Sequence, residues 1–357
     1  MEDHKNLLIV KNLTRREFLK AGIALAAVAS GFEMFPINAV AQNPKNQTLA
    51  TKEKADYKIY PPKNGCFVGF HKEQHRKFQL GTAISDTINH YRNAFDAKPA
   101  MLAFWTFLSL GFPMTEAQTL RENGILPYVS IMTGHDKWKS SFDPDDVVQG
   151  RCDTSITRLA AGATAYGAKH GGFFFTTMVE SNAIWWYWSS KPNSAAAIRH
   201  IWQIFEDQGA NQYATWVWEA FCPARYGAFV ADPEQYYPGD KYVDWIGLNV
   251  FANLKNPHIK ETTKFGDLMS KSYEQMRVNH PQKPIMVSEF GRTPGNNQPP
   301  WLEDAFRRMK NNFSAIKAAI YYDYITNLFT GQDHTLDERS LNTLKEIFKD
   351  PYWIMVK

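Results

Sequence analysis

Eight short apolar runs, separated by stretches long enough for a helix, constrain this chain more than any other feature. They fall at residues 66–70, 100–107, 126–132, 173–179, 213–218, 245–250, 284–288 and 318–322. Apolar residues recur at helical spacing between them, over 85–95, 115–123, 154–169, 194–208, 265–278 and 301–312, with a last such segment at 340–349. Strands that are apolar on both faces belong in a parallel sheet covered by helices. Eight such units in roughly 300 residues favour a closed (β/α)8 TIM barrel, a single α/β domain, over an open doubly wound sheet. No Gly-x-Gly-x-x-Gly follows any of the runs and no Gly-x-x-x-x-Gly-Lys-Ser/Thr loop is present, so nothing argues for a nucleotide-binding open sheet.

The barrel is expected over 61–357, preceded by two segments of different texture. Thr14-Arg15-Arg16-Glu17-Phe18-Leu19-Lys20 and the apolar stretch at 21–31 read as a twin-arginine export signal, with Ala39-Val40-Ala41 as its cleavage site. The apolar stretch is too short to cross a hydrocarbon core of about 30 Å, so no membrane span is expected in the mature form. Residues 1–41 are therefore expected to be a signal peptide, and 42–60, polar and unpatterned, a linker. A secreted or periplasmic protein, exported already folded, follows.

The formal net charge is +4, and loss of the leader, with five basic and four acidic residues, leaves +3. That is too mild for a nucleic-acid partner. Cys66, Cys152 and Cys222 form no Cys-x-x-Cys pair and read as small buried residues, with at most one internal disulfide. The acidic cluster Asp143, Asp145 and Asp146 is interrupted by Pro144 and reads as a solvated turn rather than a calcium loop.

Two glutamates end strand-like runs: Glu180 after the fourth and Glu289 after the seventh. A carboxylate at the mouth of a parallel strand costs desolvation energy and adds nothing to packing, which points to chemistry. Across a closed barrel the two would face each other. A retaining glycosidase needs such a pair about 5 to 5.5 Å apart, one carboxyl protonating the leaving oxygen and the other attacking the anomeric carbon. Tryptophans follow Glu180 at Trp185, Trp186 and Trp188, and indole rings stack on the apolar faces of sugars. Trp216 and Trp218 alternate with Val217, so that one face of the run carries both rings; that face can be the lumen or mouth, with Val217 toward the helices, and core packing is the expected role of at least one of the two. His71, Trp105, His135 and Asp136 lie at or after strand ends, where they can line the cleft.

Several collinear motifs resemble those of glycoside hydrolase family 26, mainly β-mannanases with some β-glucanases and β-1,3-xylanases. They are Val148-Gln149-Gly150-Arg151-Cys152-Asp153, Glu180-Ser181-Asn182-Ala183-Ile184-Trp185-Trp186-Tyr187-Trp188, Gly209-Ala210-Asn211 with Trp216-Val217-Trp218, the stretch from Tyr237 to Gly247, and Ser288-Glu289-Phe290-Gly291. The resemblance implies Glu180 as general acid/base, Glu289 as nucleophile, Trp185 as the aromatic wall beside the scissile bond and Trp188 as a further platform or support. It departs from the family where Thr176 and Val179 stand in place of an arginine and a histidine. Asn249-Val250-Phe251 replaces a nucleophile-orienting tyrosine, and Tyr321-Tyr322-Asp323-Tyr324 offers no clear counterpart of a strand 8 tryptophan.

The expected function is a retaining endo-β-glycosidase acting on a polysaccharide or oligosaccharide as a monomer, without metal or organic cofactor. Glu180, Glu289, Trp185, Trp188, His71, Trp105, Trp218, Asn249, Phe251 and Tyr322 are its candidate residues. Glu180 should hold its proton through a raised pKa, with repulsion from ionised Glu289 as the main cause. The alternative is an exopolysaccharide-binding or assembly protein, or a transglycosylase, on the same barrel.

Overall fold

A computed structural model describes residues 57–72, 82–132, 143–189, 191–326 and 332–357. The expected leader, most of the expected linker, and His135 and Asp136 lie outside these residues. Eight parallel strands form the barrel: β1 (Cys66–Lys72), β2 (Met101–Phe107), β3 (Leu126–Met132), β4 (Phe173–Thr177), β5 (Ala214–Phe221), β6 (Trp245–Ala252), β7 (Ile285–Arg292) and β8 (Ile316–Asp323). Each pairs with its sequence neighbour, and β1 pairs with β8 from Phe67↔Ala318 to Lys72↔Asp323, which closes the sheet. The helices that follow the strands cover its outside. The short strand Trp353–Val356 returns to pair with the start of β1.

Both faces of each strand are buried, hence the near-continuous apolar runs. The outer face packs on the helices. The lower lumen is filled by Met101, Tyr128, Phe174, Val217, Trp245, Met286 and Ile320. A third apolar cluster, with Ala183, Phe221, Val230, Phe251 and Tyr322, lies apart from these two.

The parity of β5 is the reverse of that expected. Val217 joins the lumen cluster, while Trp216 and Trp218 sit in the helix-side core. Trp216 packs edge-on against Phe175 and Phe205, and its indole donates to Asn211 at 2.8 Å. Trp218 packs against Tyr237.

Two local features serve the barrel's upper end. β7 shifts register between Val287 and Phe290, an irregularity that re-aims the residues between them, Glu289 included. Gly247 on β6 lies where an added Cβ would come 2.6 Å from Ser288 Oγ and 2.9 Å from Glu219 Cγ, so only glycine lets those two side chains pass. The three cysteines are buried and free. Asp143 caps the helix Pro144–Val148, accepting from the amides of Asp145 and Asp146.

Candidate active site

The fourth strand ends at Thr177, earlier than its apolar run suggests, because Met178 and Glu180 take positive φ of 51° and 54°. Neither conformation is favourable for a residue with a Cβ, and such strain is held only where surrounding contacts impose it. Here the Glu180 amide donates to Glu219 O at 3.2 Å and Ser181 Oγ to Met178 O at 2.6 Å. Asn182 bonds Phe221 through both ends of its amide and also donates to Ala231 O. The turn is thus tied to the end of β5.

Glu180 is buried, and three N–H groups point at it. Trp185 Nε1 and Trp186 Nε1 donate to Oε2 at 2.6 and 2.9 Å, and Asn249 Nδ2 donates to Oε1 at 3.0 Å. Those donors favour the carboxylate, yet burial outweighs them and the pKa is raised. Burial is the cause, in place of the expected repulsion from Glu289. The repulsion falls on Glu289, whose carboxyl is pushed well up by burial first and the Glu180 charge second. His71 Nδ1 lies 2.7 Å from Glu289 Oε1, and the Trp105 side chain bonds the same carboxyl. Each of the two glutamates therefore meets its own set of ring nitrogens.

The other expected residues divide. Trp105 stands edge-on to both His71 and Trp186 at 5.4 and 5.5 Å between ring centroids, linking the surroundings of the two glutamates. Tyr322 packs edge-on to His71 at 5.1 Å and to Phe251 at 5.5 Å. Phe251 belongs with Tyr322 to the apolar cluster against which Trp185 packs. Trp218 is corrected, for it lies on the helix side; of the two roles expected for Trp188, platform or support, its 1% exposure leaves the support. Trp188 Nε1 donates to Val179 O at 2.8 Å and its ring stacks on Trp186 at 4.9 Å, bracing the indole that does reach Glu180.

Three participants were missed. Trp186 contacts Glu180 directly. Glu219, 3% exposed on β5, is a third buried carboxyl; it accepts from the Tyr128 hydroxyl and, at 3.2 Å, from Asn249 Nδ2. Burial and the Glu289 charge push its pKa up to about 8. Ser288 Oγ donates to Asn249 Oδ1 at 2.6 Å, which fixes the way the amide points. Glu219 was legible by the criterion that found the other two, a carboxylate at the end of an apolar run, but the mistaken parity of β5 hid it.

No family model matches the chain. A curated relative, endoglucanase H of Acetivibrio thermocellus, is 26% identical over 205 residues, which is 54% of this chain but only 21% of that protein. The chain thus matches about a fifth of that relative's length. Among solved structures, the GH26 domain of an endo-β-mannanase/endo-β-glucanase from Prevotella bryantii superposes with a TM-score of 0.58 at 12% identity, covering 82% of this chain and 91% of that one. GH26A from Muricauda sp. gives 0.58 at 17% identity, again over 82% and 91%. The mannanase man26 of Bacillus subtilis gives 0.55 at 15% identity over 78% and 84%. The chain resembles glycoside hydrolase family 26 in its (β/α)8 fold as well as in its motifs.

Proposed function

We propose that this protein is a retaining endo-β-glycosidase that cuts a β-linked glucan by double displacement, with Glu180 as acid/base and Glu289 as nucleophile. The observation that carries this reading is the pair itself: two buried, electrostatically coupled glutamates, Glu180 on the turn just past β4 and Glu289 within β7, each met by ring nitrogens. The endoglucanase relative supports a glucan, and the aromatic rings beside both carboxyls suit a sugar.

In the first step Glu180 gives its proton to the glycosidic oxygen while a Glu289 oxygen attacks the anomeric carbon, forming a glycosyl ester and releasing the leaving sugar. In the second, Glu180 takes a proton from water, the water oxygen attacks the same carbon, and Glu289 departs as a carboxylate. With Glu180 protonated, the second of the two causes that push Glu289 up is removed; burial remains, and the bonds from His71 and Trp105 oppose it by stabilising the ionised form. A twin-arginine leader at the N-terminus would place this activity outside the cytoplasm.

The test is incubation with mixed-linkage β-glucan, glucomannan, β-mannan, xylan and bacterial exopolysaccharides. Trapping with an activated 2-deoxy-2-fluoro-glycoside follows. Reducing ends should appear from a glucan, Glu289→Ala should abolish them, and peptide mapping should find the sugar on Glu289. A trapped sugar on another residue, or binding without cleavage on every polymer, would overturn the reading.

A further inference from the structure

Glu219 plays no part in the two steps above, yet it is the carboxyl most closely tied to the acid/base. The Asn249 amide nitrogen donates to Glu180 Oε1 at 3.0 Å and to Glu219 Oε2 at 3.2 Å, so one NH2 group spans the two. Its carbonyl end is taken by Ser288 Oγ, and Glu219's other oxygen by the Tyr128 hydroxyl. Backbone closes the loop, with the Glu180 amide on Glu219 O. Gly247 leaves room for the Glu219 side chain beside Ser288. A buried carboxyl of this kind costs stability, and a barrel lumen could be filled more cheaply by an apolar residue.

We propose that Glu219 is a positioning residue for the acid/base, holding the Glu180 carboxyl through the Asn249 amide in the orientation that meets the glycosidic oxygen. The inference rests on the reading of Glu180 as proton donor. Asn249 has two amide hydrogens. With Glu219 accepting one and Ser288 fixing the carbonyl, the other is aimed at Glu180. Without Glu219 the amide can turn, and Glu180 loses its fixed partner on Oε1.

The leaving group separates this role from a merely structural one. Activated aryl glycosides need no protonation, whereas polysaccharides do. Glu219→Met keeps the volume and removes the acceptor. Its kcat/KM on mixed-linkage β-glucan should fall about 10²-fold, the scale of a misplaced catalytic group, with that on 2,4-dinitrophenyl β-cellobioside little changed. Glu219→Gln should recover most of the loss, because a turned amide can accept from Asn249 and donate to Tyr128. Asn249→Ala should reproduce the split, and carries the test if Glu219→Met does not fold. Glu180→Ala is the control for the underlying reading. If it shows the split while Glu219→Met and Asn249→Ala lose both substrates equally, or neither, the positioning role is wrong and the acid assignment stands. If Glu180→Ala shows no split, or the wild type cleaves neither probe, the acid assignment fails and this inference with it.

Discussion

His71 Nδ1 lies 2.7 Å from Oε1 of Glu289, bringing the end of the first strand to the carboxyl of the seventh. The His71 side chain is 8% exposed, and its orientation is set by edge contacts from Trp105 and Tyr322. A hydrogen bond to a charged group is worth about 1.5–3 kcal/mol, so His71→Ala should lower kcat/KM by roughly 10- to 150-fold. Because both steps pass through Glu289, the loss should be alike for aryl glycosides and polysaccharides. A loss confined to polysaccharides in steady-state kinetics would mean that His71 serves the acid instead.

The three buried carboxyls of the site, Glu180, Glu219 and Glu289, and Glu116 outside it all have raised pKa, which makes stability depend on pH in a definite direction. Each binds its proton more tightly in the folded state, so its contribution is fully present below the ordinary carboxyl range and is lost as pH rises through the folded value. For Glu219 that window runs from about 4.5 to about 8. The melting temperature should therefore fall between pH 5 and pH 8, and Glu219→Gln, which cannot ionise, should flatten the fall. Calorimetry across that range checks it. A melting temperature that rises with pH, and rises equally in the variant, would contradict the assigned directions.

The tryptophans offer a direct comparison of the candidate site with the core behind it. Trp186→Phe removes a donor from Glu180 and alters the edge contact with Trp105, so activity on polysaccharide should drop with little change in folding. Trp218→Phe, on the helix side, should leave kcat and KM unchanged. Its indole nitrogen is buried without a hydrogen-bond partner, so the substitution should be neutral or slightly stabilising. Trp188→Ala should cost about 3–5 kcal/mol, as expected for emptying a large core site, and lower activity only through the loss of its brace on Trp186. Thermal melts and kinetics on the three variants separate these outcomes.

The barrel was legible because period and length are properties of a run as a whole. Leu126–Met132 was read with its bounds as observed, and the others to within a few residues at each end. The side of a strand on which each residue falls was less legible. On β5, Trp-Val-Trp-Glu is apolar on both faces up to Glu219, so alternation alone does not say which face is lumen. The strained turn at Met178 and Glu180 was equally hidden, because positive φ without glycine is imposed by distant contacts such as the Glu180 amide to Glu219 O. His71 and Trp105 follow from strand position, and Asn249, Phe251 and Tyr322 from where the chain departs from the family motifs; neither route shows the partners each of them meets.

The proposed preference for a glucan can be tested at Val179. This residue packs into the helix-side core, and its carbonyl accepts the Trp188 indole. The imidazole that a family 26 mannanase would carry next to its acid therefore has no equivalent on this turn, and His71 serves Glu289 instead. A site lacking a group to pair a particular hydroxyl discriminates among sugars only weakly, by about 1–3 kcal/mol per group, and gains nothing from a hydroxyl that it cannot bond. Mixed-linkage β-glucan should accordingly be cut with a kcat/KM at least about tenfold above that on plain β-mannan. Val179→His should not convert the preference. It would bury an imidazole in an apolar layer at a cost of about 1–3 kcal/mol and lower the melting temperature without raising mannan hydrolysis. Vigorous cleavage of β-mannan by the wild type would show that another residue of the cleft reads the mannose hydroxyl. Mannan hydrolysis gained by Val179→His would show that this side chain reaches the sugar after all.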